Sequence, residues 1–282
     1  MTLPGETGPL GRELMCAMKL ARIAGVEVVG IRNGGLTVDM KPGDEPVTAA
    51  DRRANELIVA GIASAFPDDR IVSEELPSTE AMLDAPRLWL VDPIDGTKDF
   101  IRGGDGFAVM IGLVIDGVPV LGVVYQPTLD RMFFATPDGG AHVQIGDKLE
   151  RLAGSAVAVA AEARLVASAS HRNADIDRVK TELGINNELN VGSVGVKLCL
   201  IASGSRDLYV NPAAKTKAWD TCAPEAILVG AGGHLTDLFG GPIDYRTELS
   251  HRRGLVGSNR HVHAEVVVKL GPLFPHLAPR PA

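Results

Sequence analysis

The period of the apolar positions changes several times along this chain, and each change marks an element. Leu10, Leu14, Met18 and Ala21 recur at helical spacing and predict a helix over Leu10 to Ala24. A glycine-rich loop, Asn33 to Leu36, is expected after it. Ala50, Ala54, Leu57, Ile58 and Ile62 line one face of a second helix, Thr48 to Phe66. The apolar pair Ile71-Val72 and the run Leu88 to Val91 read as short buried strands. Phe107 to Ile115 and Val118 to Tyr125 are rich in strand formers and meet at Asp116-Gly117, a hairpin turn pair. Arg131 to Ala135 and Ala141 to Ile145 flank a second such turn at Asp138-Gly139. The first ~150 residues therefore predict two helices followed by an antiparallel sheet.

From Arg164 onward strand-like and helical pieces alternate. A strand is expected around Leu165, then helices over Ile176 to Leu183 and Val194 to Ala202. A strand around Leu208, a helix after Asp220, a strand near Leu255 and a helix over Val262 to Leu270 complete the pattern. This second part reads as α/β. The boundary falls in the Ala/Val-rich stretch near Ala153 to Ala163, so the expected lobes are 1–155 and 156–282. No internal repeat interrupts them.

With 282 residues, the chain can bury about three quarters of its unfolded surface, enough for a core without staples. Lys and Arg total 28 against 35 Asp and Glu, a formal charge of −7. That balance argues against a nucleic-acid polymer or a membrane surface as partner. It leaves room for a small anionic ligand, because bound metal ions reverse the local sign. Cys16, Cys199 and Cys222 are odd in number and scattered, which points to a reducing compartment and not to a disulfide framework. No basic segment leads into a long apolar run at the N-terminus, and no stretch approaches the ~20 apolar residues of a membrane span. A cytoplasmic protein, monomer or homodimer, is the expectation.

Three acidic motifs carry the chemistry. WLVDPIDGTKDF, Trp89 to Phe100, places Asp92, Asp95 and Thr97 where an apolar strand gives way to a helix start. Such a junction offers oxygen ligands for a hard cation and helix N–H groups for a phosphate. Asp-Pro and Asp-Gly are also ordinary turn pairs. Ser73-Glu74-Glu75 sets two carboxylates side by side, which repel unless solvated or bridged by a cation. KAWDTCAPEAILVGAGG, Lys217 to Gly233, puts Asp220 just ahead of an apolar helix, where Asp suits an N-cap and Pro224 a first turn.

In this order, an acidic pair, D-P-x-D-G-T and W-D before a helix ending in A-G-G, the chain resembles the inositol monophosphatase-like superfamily of lithium-sensitive, magnesium-dependent phosphatases. The likeness runs from about Leu10 to about Val267. Within the superfamily it is greatest to the 3′(2′),5′-bisphosphate nucleotidases, through Lys98, WDTCAPE, the GVVYQP strand end (Gly122 to Pro127) and the Ser168–His171 segment. The resemblance implies a layered α-β-α-β-α sandwich of the sugar-phosphatase type, α+β and α/β combined, with the site between the lobes. It implies two or three Mg²⁺ ions. One would take Glu74, Asp92 and the Ile94 carbonyl; another would share Asp92 and add Asp95 and Asp220. Glu74 and Thr97 would orient a water, with Asp51 polarising Thr97 or receiving its proton; Asp51 also suits a plain first-turn helix acid. Helix starts after Asp95, near Ser193 and after Asp220 would face the phosphate.

The substrate contacts implied are Gly96, Thr97, Ser168, His171, Ser193 and Lys197. His171 and Lys197 equally suit solvated surface positions. Where inositol monophosphatases carry a Glu seven residues before the W-D aspartate, this chain has Ala213, followed by Lys215 and Lys217. That departure favours a second phosphate and hence adenosine 3′,5′-bisphosphate, converted to AMP. Adenine-stacking aromatics are not identifiable. An inositol monophosphatase or fructose-1,6-bisphosphatase type of sugar phosphatase is the enzymatic alternative, and a phosphate sensor without turnover the non-enzymatic one.

Overall fold

The protein is described by a computed structural model covering residues 2–41, 45–169 and 174–278. In chain order the elements begin with α1 (Gly11–Gly34), β1 (Val38–Lys41), β2 (Glu45–Thr48), α2 (Ala49–Ala65) and β3 (Arg70–Ser73). Next come β4 (Arg87–Asp95), α3 (Thr97–Ile101), β5 (Ala108–Ile115), β6 (Val118–Gln126), β7 (Arg131–Thr136), β8 (Gly140–Ile145) and β9 (Lys148–Arg151). The remainder is β10 (Leu165–Ser168), α4 (Ala174–Leu183), β11 (Glu188–Val191), α5 (Val194–Ala202), β12 (Leu208–Asn211), α6 (Ala218–Gly230), β13 (His234–Thr236), β14 (Leu255–Ser258) and α7 (His263–Leu270).

β3 to β9 form a seven-stranded sheet in sequence order, with β3 parallel to β4 and every other pair antiparallel. The second sheet has the order β11-β10-β12-β14-β13. Strand alternation sorts the core into layers. Val109, Ile111 and Leu113 of β5 pack with α1 and α2, whereas Ala108 and Met110 pack with α5 and α6. In the second sheet Val166 and Tyr209 face α5 and α6, while Leu165, Ala167, Leu208 and Val210 face α4 and α7. The result is an α-β-α-β-α sandwich, as the resemblance implies, with α5 and α6 as its central layer.

Several boundaries depart from the sequence reading. Helix α1 does not stop at Ala24 but continues to Gly34. Gly25, which weakens a helix, lies where a Cβ would come 2.6 Å from the Tyr125 ring, so the helix gains close packing on β6 there. The second short strand is nine residues long, and the helix after the DGT only five. Pro224 sits seven residues into α6 and not in its first turn. The small antiparallel pair β1–β2 and the strands β9, β11 and β13 lack the apolar alternation that makes a strand legible.

α6 lies unusually close to the first sheet. A Cβ on Gly122 in β6 would be 2.0 Å from the Ala223 carbonyl oxygen. Gly122→Ala is therefore expected to destabilise the protein by about 1–3 kcal/mol through overpacking. Gly30→Ala, on the exposed side of α1 with nothing within 4 Å of a new Cβ, is expected to be neutral or mildly stabilising. Urea midpoints compare the two, and equal midpoints would contradict the close approach.

Candidate active site

Two carboxylates three residues apart on a regular strand point to opposite faces. Between Asp92 and Asp95 the β4–β5 register shifts: Asp92 pairs with Met110 and Asp95 with Ala108, so three steps on β4 match two on β5. Met110 and Ala108 both face the central helical layer. The bulge at Pro93-Ile94 thus turns both carboxylates toward α5 and α6. Asp92 accepts a bond from the Ile94 N–H (3.1 Å), which stabilises the bulge. β4 then ends at Gly96, whose φ of 93° permits the abrupt start of α3.

Asp51 is the third residue of α2. Its Oδ2 accepts from the Thr48 N–H (2.7 Å) and hydroxyl (2.6 Å), closing a capping box with Thr48. Its Oδ1 lies 3.3 Å from the Thr97 hydroxyl, which also approaches the Ile94 carbonyl (3.0 Å). Asp51 is therefore both the helix acid and the partner of Thr97. Burial raises its pKa, against the bonds from Thr48.

Asp95 reaches across to the start of α5. Its Oδ2 accepts from the Ser193 hydroxyl (2.5 Å) and the Gly195 N–H (2.8 Å), capping α5, while the Ser193 hydroxyl accepts from the Val196 N–H (2.9 Å). Asp220 is the third residue of α6, not its N-cap, and accepts from the Lys217 N–H (2.7 Å). Two of the three helix starts expected to face a phosphate are thus engaged by site carboxylates. The start of α6 is fixed from behind: the Tyr245 hydroxyl donates to Glu225 (2.5 Å) and lies 2.9 Å from the Thr221 hydroxyl, which pairs with His251 (2.7 Å). Burial pushes the Glu225 carboxyl up to about 7 and the His251 imidazole down to about 4.

Asp92 is only 2% exposed. Burial pushes its pKa far above the carboxylate range, and the neighbouring Glu74, Asp95 and Asp220 push it further. Two lysines offset the charge. Lys41, at the end of β1, donates to Glu74 (2.9 Å) and Glu75 (2.5 Å). Burial opposes its charge, yet the two carboxylates hold its pKa above the usual range. Lys197, 1% exposed, is no surface residue. Its ammonium donates to the Gly192 (2.7 Å) and Val191 (3.1 Å) carbonyls. Burial lowers its pKa to about 8, against the pull of Asp95, Asp99 and Asp220.

Among the described residues no group of three or more His, Cys, Asp or Glu is gathered into a ready-made metal centre. The hydrogen bonds explain this: oxygens of Glu74, Asp92, Asp95 and Asp220 are engaged by Lys41, Ile94 N–H, the α5 start and Lys217 N–H. The donor chemistry nevertheless fits a hard cation. It consists of carboxylates and the Ile94 carbonyl, and the crowding that raises the Asp92 pKa is what a divalent ion would relieve.

The structure thus brings Asp51, Glu74, Asp92, Ile94, Asp95, Gly96, Thr97, Ser193, Lys197 and Asp220 to one seam where the end of β4 meets the starts of α2, α5 and α6. Ser168 ends β10 opposite Val191, beside the loop that leads to Ser193. His171 lies outside the described residues. Lys41 and Asp99 escaped the sequence reading. The Pro42-Gly43 turn signal after Lys41 could have revealed the β1–β2 pair; nothing local marks Asp99, whose partner is the Gly192 N–H (3.0 Å).

A profile of the inositol monophosphatase family matches residues 12–271. The 3′(2′),5′-bisphosphate nucleotidase CysQ of Salmonella typhimurium is 37% identical over 230 residues, 80% of this chain and 91% of that protein. A histidinol-phosphatase of Mycobacterium tuberculosis is 34% identical over 266 residues, 92% of this chain and 97% of its own. A solved inositol monophosphatase of Thermotoga maritima superposes with a TM-score of 0.81 at 27% identity, covering 94% of this chain and 99% of the other. With its layered fold and its acidic seam at the end of β4, the chain belongs to the inositol monophosphatase family.

Proposed function

We propose that the protein is a Mg²⁺-dependent phosphomonoesterase that removes the 3′-phosphate of adenosine 3′,5′-bisphosphate, yielding AMP and inorganic phosphate. The observation that carries the reading is the buried acidic seam around Asp92, set beside the Thr97–Asp51 pair. Glu74, Asp92, the Ile94 carbonyl, Asp95 and Asp220 would hold divalent cations, which when bound would supply Lewis-acid stabilisation of phosphoryl charge and make hydroxide accessible near neutral pH. The likeness to CysQ and Ala213 in place of a sugar-binding Glu support the bisphosphate.

The residues of the chain do the positioning. The Thr97 hydroxyl has one proton, directed at Asp51 or the Ile94 carbonyl, so its lone pairs are left to accept from an attacking water. Asp51 is locked by Thr48 and keeps that hydroxyl oriented. Water adds to phosphorus as the bond to the 3′ oxygen breaks; the proton it sheds passes by way of the Thr97 hydroxyl to Asp51, and the departing oxygen takes a proton from solvent. Glu74 orients the water from the other side. Gly96 and the first amides of α3 face the phosphate, with Ser168 and Ser193 toward the rest of the substrate and Lys197 behind them, holding the Gly192 carbonyl.

A second reading is a small-monophosphate phosphatase of the inositol or sugar type. It is favoured by the Lys197 ammonium, which is bound to two carbonyls of its own loop and not presented to a second phosphate. The likeness to a histidinol-phosphatase also supports it. The two readings separate on kcat/KM. Adenosine 3′,5′-bisphosphate is expected to exceed inositol 1-phosphate, fructose 1,6-bisphosphate and histidinol phosphate by at least about tenfold, a difference of about 1.4 kcal/mol in transition-state binding. A ranking led by any of the other three overturns the first reading, and one led by inositol 1-phosphate or histidinol phosphate selects the second.

Phosphate release is expected to vanish on chelation and return with Mg²⁺. Asp92→Asn is expected to lose at least ~10³-fold in kcat, since it weakens several kcal/mol of charge stabilisation. Near-normal turnover of that variant at saturating Mg²⁺ would remove the metal assignment.

Thr97→Ala is expected to lower kcat more than it raises KM, and Thr97→Ser to keep most activity. Steady-state phosphate release compares them; identical behaviour of the two variants would rule out the water-orienting role.

A further inference from the structure

The loop between β11 and α5 carries Gly192 and Ser193, and almost every polar group of that pair is held by a separate partner. The Gly192 N–H donates to Asp99 Oδ2 (3.0 Å), and the Gly192 carbonyl accepts from Lys197 Nζ (2.7 Å). The Ser193 N–H donates to the Gly106 carbonyl (2.8 Å), and the Ser193 hydroxyl to Asp95 (2.5 Å). Three of these four partners lie between residues 95 and 106, the turn that follows β4. Gly192 has no side chain with which to anchor itself by packing. The backbone of this loop is therefore placed by hydrogen bonds from the opposite lobe.

Asp99 is the element of this clamp that no catalytic role requires. It is the third residue of α3, its own N–H donates to the Gly96 carbonyl (2.8 Å), and its carbonyl accepts from the Gly104 N–H (2.9 Å). The carboxylate stands between two glycines with no room for a side chain on either. A Cβ on Gly106 would lie 2.2 Å from Oδ2, and one on Gly192 2.7 Å from Cγ. Asp99 also faces Lys197, so it balances the ammonium that holds the other side of the same peptide.

We propose that Asp99 is a positioning residue that holds the Gly192–Ser193 backbone and, through it, sets how tightly a phosphate substrate is bound. The second half rests on the functional reading above, in which this loop receives the substrate. Asp99 does not touch the reacting atoms. Its loss frees the Gly192 N–H and lets the loop sample other positions, which weakens ground and transition states alike and raises KM with kcat retained.

The test uses the full chain with Asp99→Ala and Asp99→Asn; the amide of Asn keeps an acceptor oxygen for Gly192. Deuterium exchange of segment 188–198 without ligand reads the clamp directly. Steady-state phosphate release from the preferred monoester reads its consequence. Asp99→Ala is expected to speed exchange at least about fivefold, raise KM about tenfold, as for a lost charge-assisted bond, and change kcat by less than about twofold. Asp99→Asn is expected to recover most of both. Unchanged exchange in Asp99→Ala overturns the clamp. Faster exchange with unchanged KM overturns the link to substrate, and a fall in kcat alone would make Asp99 part of the chemistry instead. Should Asp99→Ala fail to fold, Asp99→Ser, whose hydroxyl is too short to reach Gly192, takes its place against wild type: faster exchange of segment 188–198 supports the clamp, and unchanged exchange overturns it. A wild-type protein that hydrolyses no phosphate monoester defeats the functional reading, and with it the KM effect, while the exchange comparison still decides the clamp.

Discussion

Burying several like charges in one seam is the constraint around which this molecule is arranged. An unpaired buried carboxylate is costly enough that it protonates or recruits partners. Here the partners come from everywhere around the site. Asp51, Asp95 and Asp220 each spend an oxygen on the start of a helix, α2, α5 and α6 respectively. Lys41 and Lys197 bring ammonium groups from a small hairpin and from the central layer. Asp92, deepest in the seam, has the Ile94 N–H and three acidic neighbours. The helix caps thus do double duty: they satisfy the orphan N–H groups of each helix and fix the direction of the remaining carboxylate oxygens.

The same economy explains the bulge in β4. Pro93 supplies no N–H to the sheet, so the strand loses little by leaving the ladder there. Leaving it is what turns Asp92 and Asp95 to one side. A straight strand would have delivered one of them to the α1–α2 face, among Val91, Val109 and Ile111.

Legibility of this structure in its sequence followed the range of the interactions. The hairpin at Asp116-Gly117 was readable because both residues need positive φ, and they have it at 51° and 82°. Helix α2 was readable from its apolar face and from Thr48 with Asp51. The acidic motifs were readable because their order along the chain matches a known family pattern. What escaped were features made by distant partners. Lys197 looked like a helix-surface lysine, since nothing within α5 reveals that β11 and Tyr209 enclose it. Asp99 meets its partner 93 residues away. The length of α1 escaped because Gly25 looks like a breaker until β6 is seen packed against it. Asp220 was placed three helix positions too early because a capping-box acid and an N-cap acid share the same local composition.

The central layer joins what the chain order divides. α5 and α6 bury one side against Met110, Val124 and Phe133 of the first sheet and the other against Val166, Tyr209 and Leu255 of the second. Neither sheet can come apart without stripping a face from both helices, so the two halves share one cooperative transition and not two. A cut in the connection between β9 and β10 would leave one fragment with Asp51, Glu74, Asp92 and Asp95 and another with Ser193 and Asp220. Each fragment would expose a broad apolar surface, and such fragments are built to reassociate: complementation between them, and not separate folding, is the behaviour this architecture favours.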